Sequence, residues 1–248
     1  MMPHQLNWQE ICQMIPKRKA DAQKGDFGRL LCITGSRNMP GACLLSTQAA
    51  LRGGAGLVTV ATAPENPMRL AAAAPEAMWL PLETDEAGFL RSSDQNRKTL
   101  EKQLSRANAV LLGCGLGVTE ETRRLVHWVL EQAVCPVVLD ADGLNCCAAH
   151  IDMLKTAAAP LILTPHPGEM ARLCGENIQA VQENRRDVAV GFARRYGVTL
   201  VLKGHHTLVA DADALCVNHN GNAGMATGGS GDVLAGMIAA LAAQGLSP

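Results

Sequence analysis

Gly228-Gly-Ser-Gly-Asp232 leads directly into an apolar segment, Val233-Leu-Ala-Gly-Met-Ile-Ala-Ala-Leu-Ala-Ala243. The larger apolar residues of that segment recur at helical spacing, which predicts a helix over 233–243. Glycines in front of a helix let the backbone direct several N–H groups at one ligand, and the helix dipole adds positive charge there. This stretch therefore predicts an anion site at the start of a helix, with phosphate as the expected ligand.

Asp232 is the unusual member of this stretch. A carboxylate in the first turn suits the helix dipole, but it repels a phosphate that lies beside it. A reaction that needs a base close to a phosphate uses such an arrangement. We therefore predict that Asp232 is a general base. The alternative is that Ser230 or Asp232 only caps the helix.

Short apolar runs followed by glycine or polar residues recur along the rest of the chain and predict buried strands. Strands alternating with helices through short links predict an α/β fold with a mostly parallel sheet. In such sheets ligands bind outside the carboxyl ends of the strands, so the polar loops should converge on one crevice. The predicted strands are 30–34, 57–61, 109–112, 136–139, 161–163 and 199–202, the helices 43–51, 119–132 and 178–196, and an edge hairpin 207–210 with 214–217.

Two loops after predicted strands carry glycine or carboxylates. Gly113-x-Gly115-x-Gly117 lacks the spacing of a dinucleotide-binding loop, because position 118 is valine, and no Walker loop occurs. We expect these glycines to allow a close backbone approach to a ligand, with a tight turn as the alternative. Asp140 and Asp142 end a strand predicted to be buried, where a carboxylate requires a cation or a donor.

Two further loops carry histidines and possible ion-binding groups. His166 lies between two prolines and is followed by Glu169 at the expected start of a helix. Zinc is disfavoured because no third His or Cys lies at ligand spacing. We expect His166 to contact a substrate and Glu169 to organise a water or Mg²⁺, with a helix cap as the alternative for Glu169. Lys203-Gly204-His205-His206-Thr207 suits a nucleotide phosphate or ribose, although the two histidines alone are equally typical of a surface.

Length and composition predict one domain over residues 1–248, with residues 1–25 as a polar lead-in. A net charge of −1 without blocks of like charge favours neither nucleic acid nor an anionic membrane as a partner. The apolar segments fall short of a membrane span, and the start does not resemble a signal peptide, so we expect a cytoplasmic protein. The nine cysteines lie mostly inside apolar runs, which predicts buried thiols in a reducing compartment.

Nine motifs in register resemble those of the ADP- or ATP-dependent NAD(P)H-hydrate dehydratase family. This is the carbohydrate-kinase-like domain of the YjeF type, within the ribokinase-like superfamily. The motifs run in order from residue 25 to the end: Gly25-Asp-Phe-Gly28, Thr34-Gly-Ser36, Pro40-Gly-Ala42, Gly53-Gly-Ala-Gly-Leu-Val58, Gly113-x-Gly-Leu-Gly117, Asp140-Ala-Asp-Gly-Leu-Asn145, Thr164-Pro-His-Pro-Gly-Glu169, Leu202-Lys-Gly204 and Gly221-Asn-Ala-Gly-Met-Ala-Thr-Gly-Gly-Ser-Gly-Asp232.

The resemblance implies a three-layer α/β/α sandwich of the ribokinase-like type and a repair reaction. NADH or NADPH hydrated at C6 of the nicotinamide ring, in the S form, is returned to NADH or NADPH. ADP or ATP is consumed with Mg²⁺, and ADP yields AMP and phosphate. The implied contacts to the hydrate are Ala42, Gly117, His166 and Asp232, and those to the nucleotide are Lys203, Gly204, His205, His206, Thr207 and Gly231.

The residues allow a mechanism in which a phosphoryl group activates the ring hydroxyl. Asp232 accepts the hydroxyl proton, while N–H groups of Gly229, Ser230, Gly231 and Asp232 hold the transferring phosphoryl. The nearest alternative is a kinase for a small vitamin precursor, but relatives of that kind carry Asn at the position of His166. A second alternative is a nucleotide-binding regulator without activity.

The resemblance also has implications for partners and chain organisation. We expect a homo-oligomer and a functional link to an NAD(P)H-hydrate epimerase, which precedes this domain in many relatives. The family usually adds a closing helical segment beyond the position of Gly245-Leu-Ser-Pro248, and we expect it to be absent from this chain.

Overall fold

The structure is a computed structural model that describes residues 8–15 and 17–248. Residues 1–7 and 16 of the predicted lead-in lie outside the described residues. One mixed sheet is formed by nine strands: β1 (Arg29–Ile33), β2 (Leu57–Thr62), β3 (Met78–Pro81), β4 (Ala109–Leu112), β5 (Val137–Leu139), β6 (Leu161–Leu163), β7 (Thr199–Leu202), β8 (Thr207–Ala210) and β9 (Leu215–Asn218).

The sheet order is β3-β2-β1-β4-β5-β6-β7-β8-β9. Strands β1 to β7 pair in parallel, while β8 and β9 are antiparallel additions at one edge. The chain runs from β1 outward through β2 to β3 and then returns to β4 on the other side of β1. The topological switch point, where open α/β sheets bind their ligands, therefore lies between β1 and β4.

Helices cover both faces of the sheet. Their bounds are α1 (Trp8–Met14), α2 (Pro40–Arg52), α3 (Asn66–Leu70), α4 (Asp94–Leu104), α5 (Glu120–Gln132), α6 (Asp142–Ala148), α7 (Pro167–Cys174), α8 (Ile178–Glu183), α9 (Arg185–Tyr196) and α10 (Ser230–Ala243). Short 3-10 turns occur at Lys24–Phe27, Ile151–Lys155 and Ala223–Met225. None of the described helices combines the length and the apolarity needed to cross a bilayer.

Two apolar clusters lie on opposite faces of the sheet because side chains alternate along each strand. In β1, Leu31 and Ile33 join the cluster beneath α4 to α9, whereas Leu30 and Cys32 join the cluster beneath α2, α3 and α10. Strands buried on both faces are near-continuous apolar runs, as the sequence shows. The three-layer α/β/α arrangement with a mostly parallel sheet is therefore confirmed.

Helix α10 lies close against α2 and over β1, β4 and β5. The contact surface consists of alanine and glycine, and a Cβ on Gly236 would lie 2.9 Å from the Cβ of Ala49 and would overlap the backbone of Ser46. Because small residues allow this approach, the first turn of α10 is held at the carboxyl ends of the central strands.

Several predicted boundaries are corrected by the structure. The single helix predicted over 178–196 is wrong, because Asn184 leaves the helical region with φ −121° and ψ 31° and separates α8 from α9. Its side chain donates to the carbonyl of Ala180 at 3.2 Å, a local bond that competes with helix continuation. Helix α2 begins at Pro40, which suits a first turn, and α10 begins at Ser230 rather than Val233.

Candidate active site

Loops from neighbouring strands bind one another directly at the carboxyl edge of the sheet. After β1 and β4, the amide of Gly35 donates to the carbonyl of Cys114 at 2.8 Å, and that of Ser36 to Gly115 at 2.6 Å. After β6 and β7, the amide of Lys203 donates to the carbonyl of Pro165 at 2.9 Å. The predicted convergence of the polar loops on one crevice is confirmed in this geometric sense.

Asp140 is the buried centre of the crevice, with a relative exposure of 1%. Its Oδ1 accepts from the hydroxyl of Thr164 at 2.7 Å and from Nζ of Lys203 at 2.9 Å. Its Oδ2 lies 3.6 Å from Sγ of Cys114. The expectation that the Asp140 carboxylate needs a cation or a donor is met, because Lys203 supplies a cation and Thr164 supplies a hydroxyl donor. Lys203 is thereby held in the crevice, with its Nζ also 3.8 Å from Oε2 of Glu169.

Asp232 lies beside this pair, in the first turn of α10. Sγ of Cys114 and carboxylate oxygens of Asp140 and Asp232 all lie within 4.8 Å of one another. Partial burial, and then the negative charge of Asp140, raise the pKa of Asp232, while the Cys114 thiol and Lys203 oppose part of that rise. Burial and the two carboxylates raise the pKa of Cys114 well above its usual range, so Cys114 is a protonated donor.

The turn before α10 has the geometry of an anion site. Gly229 is the N-cap residue at φ 90°, a left-handed conformation that favours glycine, and no side chain caps the helix. The hydroxyl of Ser230 instead donates to the carbonyl of Met225 at 2.7 Å, so the alternative in which Ser230 caps α10 is wrong. The first helical hydrogen bond of α10 runs from the amide of Val233 to the carbonyl of Gly229. The amides of Gly231 and Asp232 come before it in the chain, so they are available to a ligand.

Gly231 connects this anion site to Lys203. A Cβ at Gly231 would lie 3.3 Å from Nζ of Lys203 and 4.0 Å from Oδ2 of Asp140. Any side chain here would therefore narrow the space between the ammonium group and the helix start. The structure thus brings together Lys203, Gly231 and Asp232, three residues that the sequence predicts for the site.

His166 and Glu169 form a reciprocal cap at the start of α7. Nδ1 of His166 accepts the Gly168 amide at 3.0 Å, and Oε2 of Glu169 accepts the His166 amide at 2.8 Å. Because Nδ1 is an acceptor, the proton of the neutral ring lies on Nε2, which faces Oε1 of Glu169 at 3.4 Å. Because the Glu169 side chain accepts the amide of the N-cap residue, the capping alternative for Glu169 is confirmed. The side chain is also buried, with 5% exposure. The three-ligand group found among the described residues does not include His166 or Glu169.

The predicted nucleotide loop continues from Lys203 to the surface. Nη2 of Arg185 donates to the carbonyls of Leu202 and Lys203 at 3.1 and 3.3 Å and supports the turn. His205 stacks on His206 with ring centroids 3.9 Å apart, and both are exposed, as the surface alternative predicts. Desolvation and the neighbouring histidines lower the pKa of His206, which favours its neutral form.

Ala42 and Gly117 flank the glycine loop after β4. A Cβ on Gly115 would lie 2.9 Å from the Cβ of Ala42, and the amide of Gly117 donates to Oδ2 of Asp142 at 2.8 Å. Gly117, at φ 77°, has no room for a side chain because the ring of Phe89 covers it. Ala42 and Gly117, two predicted site residues, thus lie together at the glycine loop after β4.

Sequence reasoning assigned no role to Cys114, Thr164 or Phe89. Cys114 and Thr164 lie inside motifs that the sequence singles out, so the sequence indicates that they are near the site but not which side chains they contact. Phe89 lies in a hairpin without any motif, held where the amide of Arg37 donates to the carbonyl of Gly88 at 2.9 Å. No sequence signal points to that contact.

Comparisons with known proteins agree with this geometry. A family model described as NAD(P)H-hydrate dehydratase matches residues 30–248. The ADP-dependent (S)-NAD(P)H-hydrate dehydratase of Xanthomonas campestris is 39% identical over 223 residues, which cover 90% of this chain and 74% of the relative. The bifunctional NAD(P)H-hydrate repair enzyme Nnr of Moorella thermoacetica is 43% identical over 94% of this chain. This chain spans less than half the length of that relative, 44%.

Solved structures give the same assignment. The ADP/ATP-dependent NAD(P)H-hydrate dehydratase of Bacillus subtilis, co-crystallized with ATP/Mg²⁺, superposes with a TM-score of 0.77 at 32% identity, over 95% of this chain and 79% of that one. A hydroxyethylthiazole kinase of Pyrococcus horikoshii shares the fold alone, with a TM-score of 0.59 at 18% identity over 89% of this chain and 73% of that one. The buried Asp140–Lys203 pair, the glycine turn at α10 and these likenesses lead to one conclusion: the chain belongs to the NAD(P)H-hydrate dehydratase family and has a ribokinase-like fold.

Proposed function

We propose that this protein dehydrates the S form of C6-hydrated NADH or NADPH to NADH or NADPH at the expense of ADP or ATP. With ADP the other products are AMP and phosphate. The observation that carries the proposal is the carboxylate of Asp232 beside the open amides of α10, in a member of this family. The relatives in Xanthomonas campestris and Neisseria meningitidis are named for an ADP-dependent reaction of this kind.

In the proposed reaction Asp232 accepts the proton of the ring hydroxyl as the hydroxyl oxygen attacks the terminal phosphorus of the nucleotide. The bond from that phosphorus to the rest of the nucleotide breaks, so ADP leaves as AMP. The lone pair of the ring nitrogen then expels phosphate from C6, and loss of a proton from C5 restores the dihydronicotinamide. A phosphate is a far better leaving group than hydroxide, which is why the nucleotide is consumed.

The charges of the crevice support this assignment. The open amides of Gly231 and Asp232 and the dipole of α10 stabilise the transferring phosphoryl group. Lys203, fixed 2.9 Å from Asp140, places a cation where Gly231 leaves room for phosphate. His205, His206 and Thr207 offer rings and a hydroxyl to the nucleoside part.

The hydrate and the metal occupy the remaining positions of the proposed site. Ala42 in α2, Gly117 after β4 and the exposed edge of His166 after β6 contact the hydrate. Mg²⁺, when bound, would supply positive charge to the phosphate oxygens. Glu169 would act on it only through water, because both of its oxygens already face His166 and Lys203.

Replacement of Asp232 tests the proposal. Asp232→Asn keeps the shape but removes the proton acceptor, so we expect turnover to fall by roughly 10²–10⁴-fold while ADP binding is retained. The assay follows the return of reduced-nicotinamide absorbance on incubation with ADP, Mg²⁺ and hydrated NADH, and calorimetry measures ADP binding. Asp152→Asn, at an exposed carboxylate of the 3-10 turn, is the control.

Two outcomes contradict the proposal. Unchanged turnover in Asp232→Asn removes Asp232 from the role of base. A stable phosphorylated alcohol without recovery of reduced nicotinamide identifies a small-molecule kinase instead. We further propose a functional link to an epimerase, supported by the bifunctional relatives, whose sequences extend well beyond the matched region.

A further inference from the structure

Three side chains with metal-binding atoms meet at the centre of the crevice, and the proposed reaction does not use them together. Cys114 follows β4, Asp140 follows β5 and Asp232 lies in α10, and their sulfur and oxygen atoms lie within 4.8 Å of one another. Cys114 and Asp140 are 0% and 1% exposed, while Asp232 is only partly buried. The group therefore combines a soft thiol with two carboxylates, one of which is partly exposed.

The spacing of the buried pair matches a tetrahedral metal site. Zinc binds thiolate at about 2.3 Å and carboxylate at about 2.0 Å, so the tetrahedral angle places sulfur and oxygen about 3.5 Å apart. Sγ of Cys114 and Oδ2 of Asp140 are 3.6 Å apart in the structure. In the metal-free protein this distance is that of the S–H···O hydrogen bond from Cys114, and loss of the thiol proton would leave both atoms at the separation that one shared ion requires.

The two oxygens of Asp140 are divided between different partners. Oδ1 is held by Thr164 at 2.7 Å and Lys203 at 2.9 Å, whereas Oδ2 faces Cys114. Ligating carboxylates in metal sites are typically oriented in this way by outer partners on the second oxygen. Lys203 therefore orients Asp140 without occupying the oxygen that a metal would take.

The charges at the site also favour a cation. The carboxylates of Asp140 and Asp232 lie in one cluster, and the ammonium group beside them, that of Lys203, also lies 3.8 Å from Glu169. Binding releases one proton from Cys114 and changes no oxidation state. Gly231 leaves space beside the cluster, because a Cβ at this position would lie 4.0 Å from Oδ2 of Asp140.

We propose that Cys114, Asp140 and Asp232 form a binding site for a thiophilic divalent cation such as Zn²⁺ or Cd²⁺, and that the bound ion inhibits the enzyme by occupying Asp232. The binding of the ion does not depend on the proposed function. Only the inhibition rests on that function.

Binding is tested with Cd²⁺ on the full, reduced, metal-free protein, by the ultraviolet charge-transfer absorbance of a cadmium–thiolate bond. All variants carry Cys12→Ser, because Cys12 is exposed and would add its own signal. We expect one equivalent of Cd²⁺ to saturate the band. Cys114→Ser should remove the band, while the matched change Cys216→Ser at a partly buried thiol should leave it. A band that survives Cys114→Ser overturns the proposal.

A second variant keeps the test valid if loss of the buried thiol prevents folding. Asp232 is partly exposed, so its replacement disturbs the core less. We expect Asp232→Asn to weaken Cd²⁺ binding at least tenfold while the cadmium–thiolate band persists at saturation. Unchanged affinity in Asp232→Asn excludes Asp232 as a ligand and overturns the site as proposed.

Turnover provides the second readout. Micromolar Zn²⁺ should inhibit the parent protein, excess Mg²⁺ should not relieve the inhibition because Mg²⁺ prefers oxygen ligands, and a chelator should restore activity. Zn²⁺ bound at Cys114 without inhibition overturns the claim that it occupies Asp232. Should the protein lack dehydratase activity altogether, the Cd²⁺ titration still decides the site, so the two failures are distinguishable.

Discussion

Asp140 controls the charge of its neighbours although it is itself almost inaccessible. It raises the pKa of both Cys114 and Asp232, and it holds Lys203 in the crevice. Removing one partner of a buried ion pair leaves an uncompensated charge, which costs about 3–5 kcal/mol in typical cases. Asp140 is therefore a positioning residue whose effect reaches the reaction through Asp232 and Lys203.

The pH dependence of Asp140→Asn follows from that role. A carboxylate accepts a proton only when it is ionised, so catalysis by it is lost as pH falls through its pKa. Asp140 raises the pKa of Asp232, so Asp140→Asn should lower it and let kcat/KM persist to lower pH. The measurement is the acid limb of the kcat/KM profile for the parent and the variant. The exposed Asp152→Asn should leave that limb in place, and a shift to higher pH in Asp140→Asn would contradict the argument.

Asp232 also carries a stability cost. Its pKa is raised in the folded protein, so its ionised form is disfavoured there by burial and by Asp140. Asp232→Asn should therefore raise the free energy of unfolding near neutral pH by about 1 kcal/mol, a typical trade between stability and function. The gain should shrink as pH falls through the raised pKa and vanish below the unfolded value. Urea unfolding at several pH values measures this, and a loss of stability at neutral pH would refute it.

Among the elements, helix α10 matters most for the site because its position sets the distance between the glycine turn and Lys203. It packs on α2 through glycine and alanine, with Gly236 beside Ala49 and Ala240 beside Gly53. Such an interface gains its stability from close contact rather than from large side chains. It is consequently sensitive to any added atom.

Gly236→Ala tests this sensitivity. Alanine favours a helix by up to about 1 kcal/mol over glycine, but here its Cβ would overlap the backbone of Ser46. Overpacking of this kind costs about 1–3 kcal/mol, so we expect net destabilisation in thermal unfolding together with weaker ADP binding. Gly191→Ala is the matched control in α9, where a Cβ meets open space and alanine should stabilise. Equal effects at the two sites would contradict the packing argument.

The whole molecule has a two-sided core that encloses most of its thiols. Six of the nine cysteines are buried, two are intermediate and one is exposed, and all nine are free. Burial raises the pKa of Cys146 to about 11 and that of Cys147 to about 12. Because the thiolate is the reactive form, these thiols are protected by both access and protonation.

Thiol titration follows from this distribution. At neutral pH a disulfide reagent should react fast with Cys12, slowly with Cys174 and Cys216, and with the remaining six only after unfolding. A reductant should leave the thermal unfolding midpoint unchanged, since the folded protein has no disulfide among its described residues. Rapid reaction of more than three thiols in the native protein would show that the core is less closed than the structure indicates.

The sequence by itself determined the layers and, to within three residues, the start of the helix at the site. Apolar runs of three to five residues predicted eight of the nine described strands to within one residue at each end, because burial on both faces leaves a continuous apolar pattern. Strand β3 was missed, since its edge position leaves it partly exposed and without that pattern. The break at Asn184 was missed as well, because a helical period continues through it.

Only the tertiary structure decided which side chains meet. Cys114, Asp140 and Asp232 belong to three separate segments, and their contact depends on the strand order around β1 and on how closely α10 approaches α2. The sequence predicted Asp232 as a base from its neighbours alone, but the cation that Asp140 requires became known only when β7 placed Lys203 beside it. Local spacing specifies elements, whereas the charge of a buried group depends on partners that folding brings from distant parts of the chain.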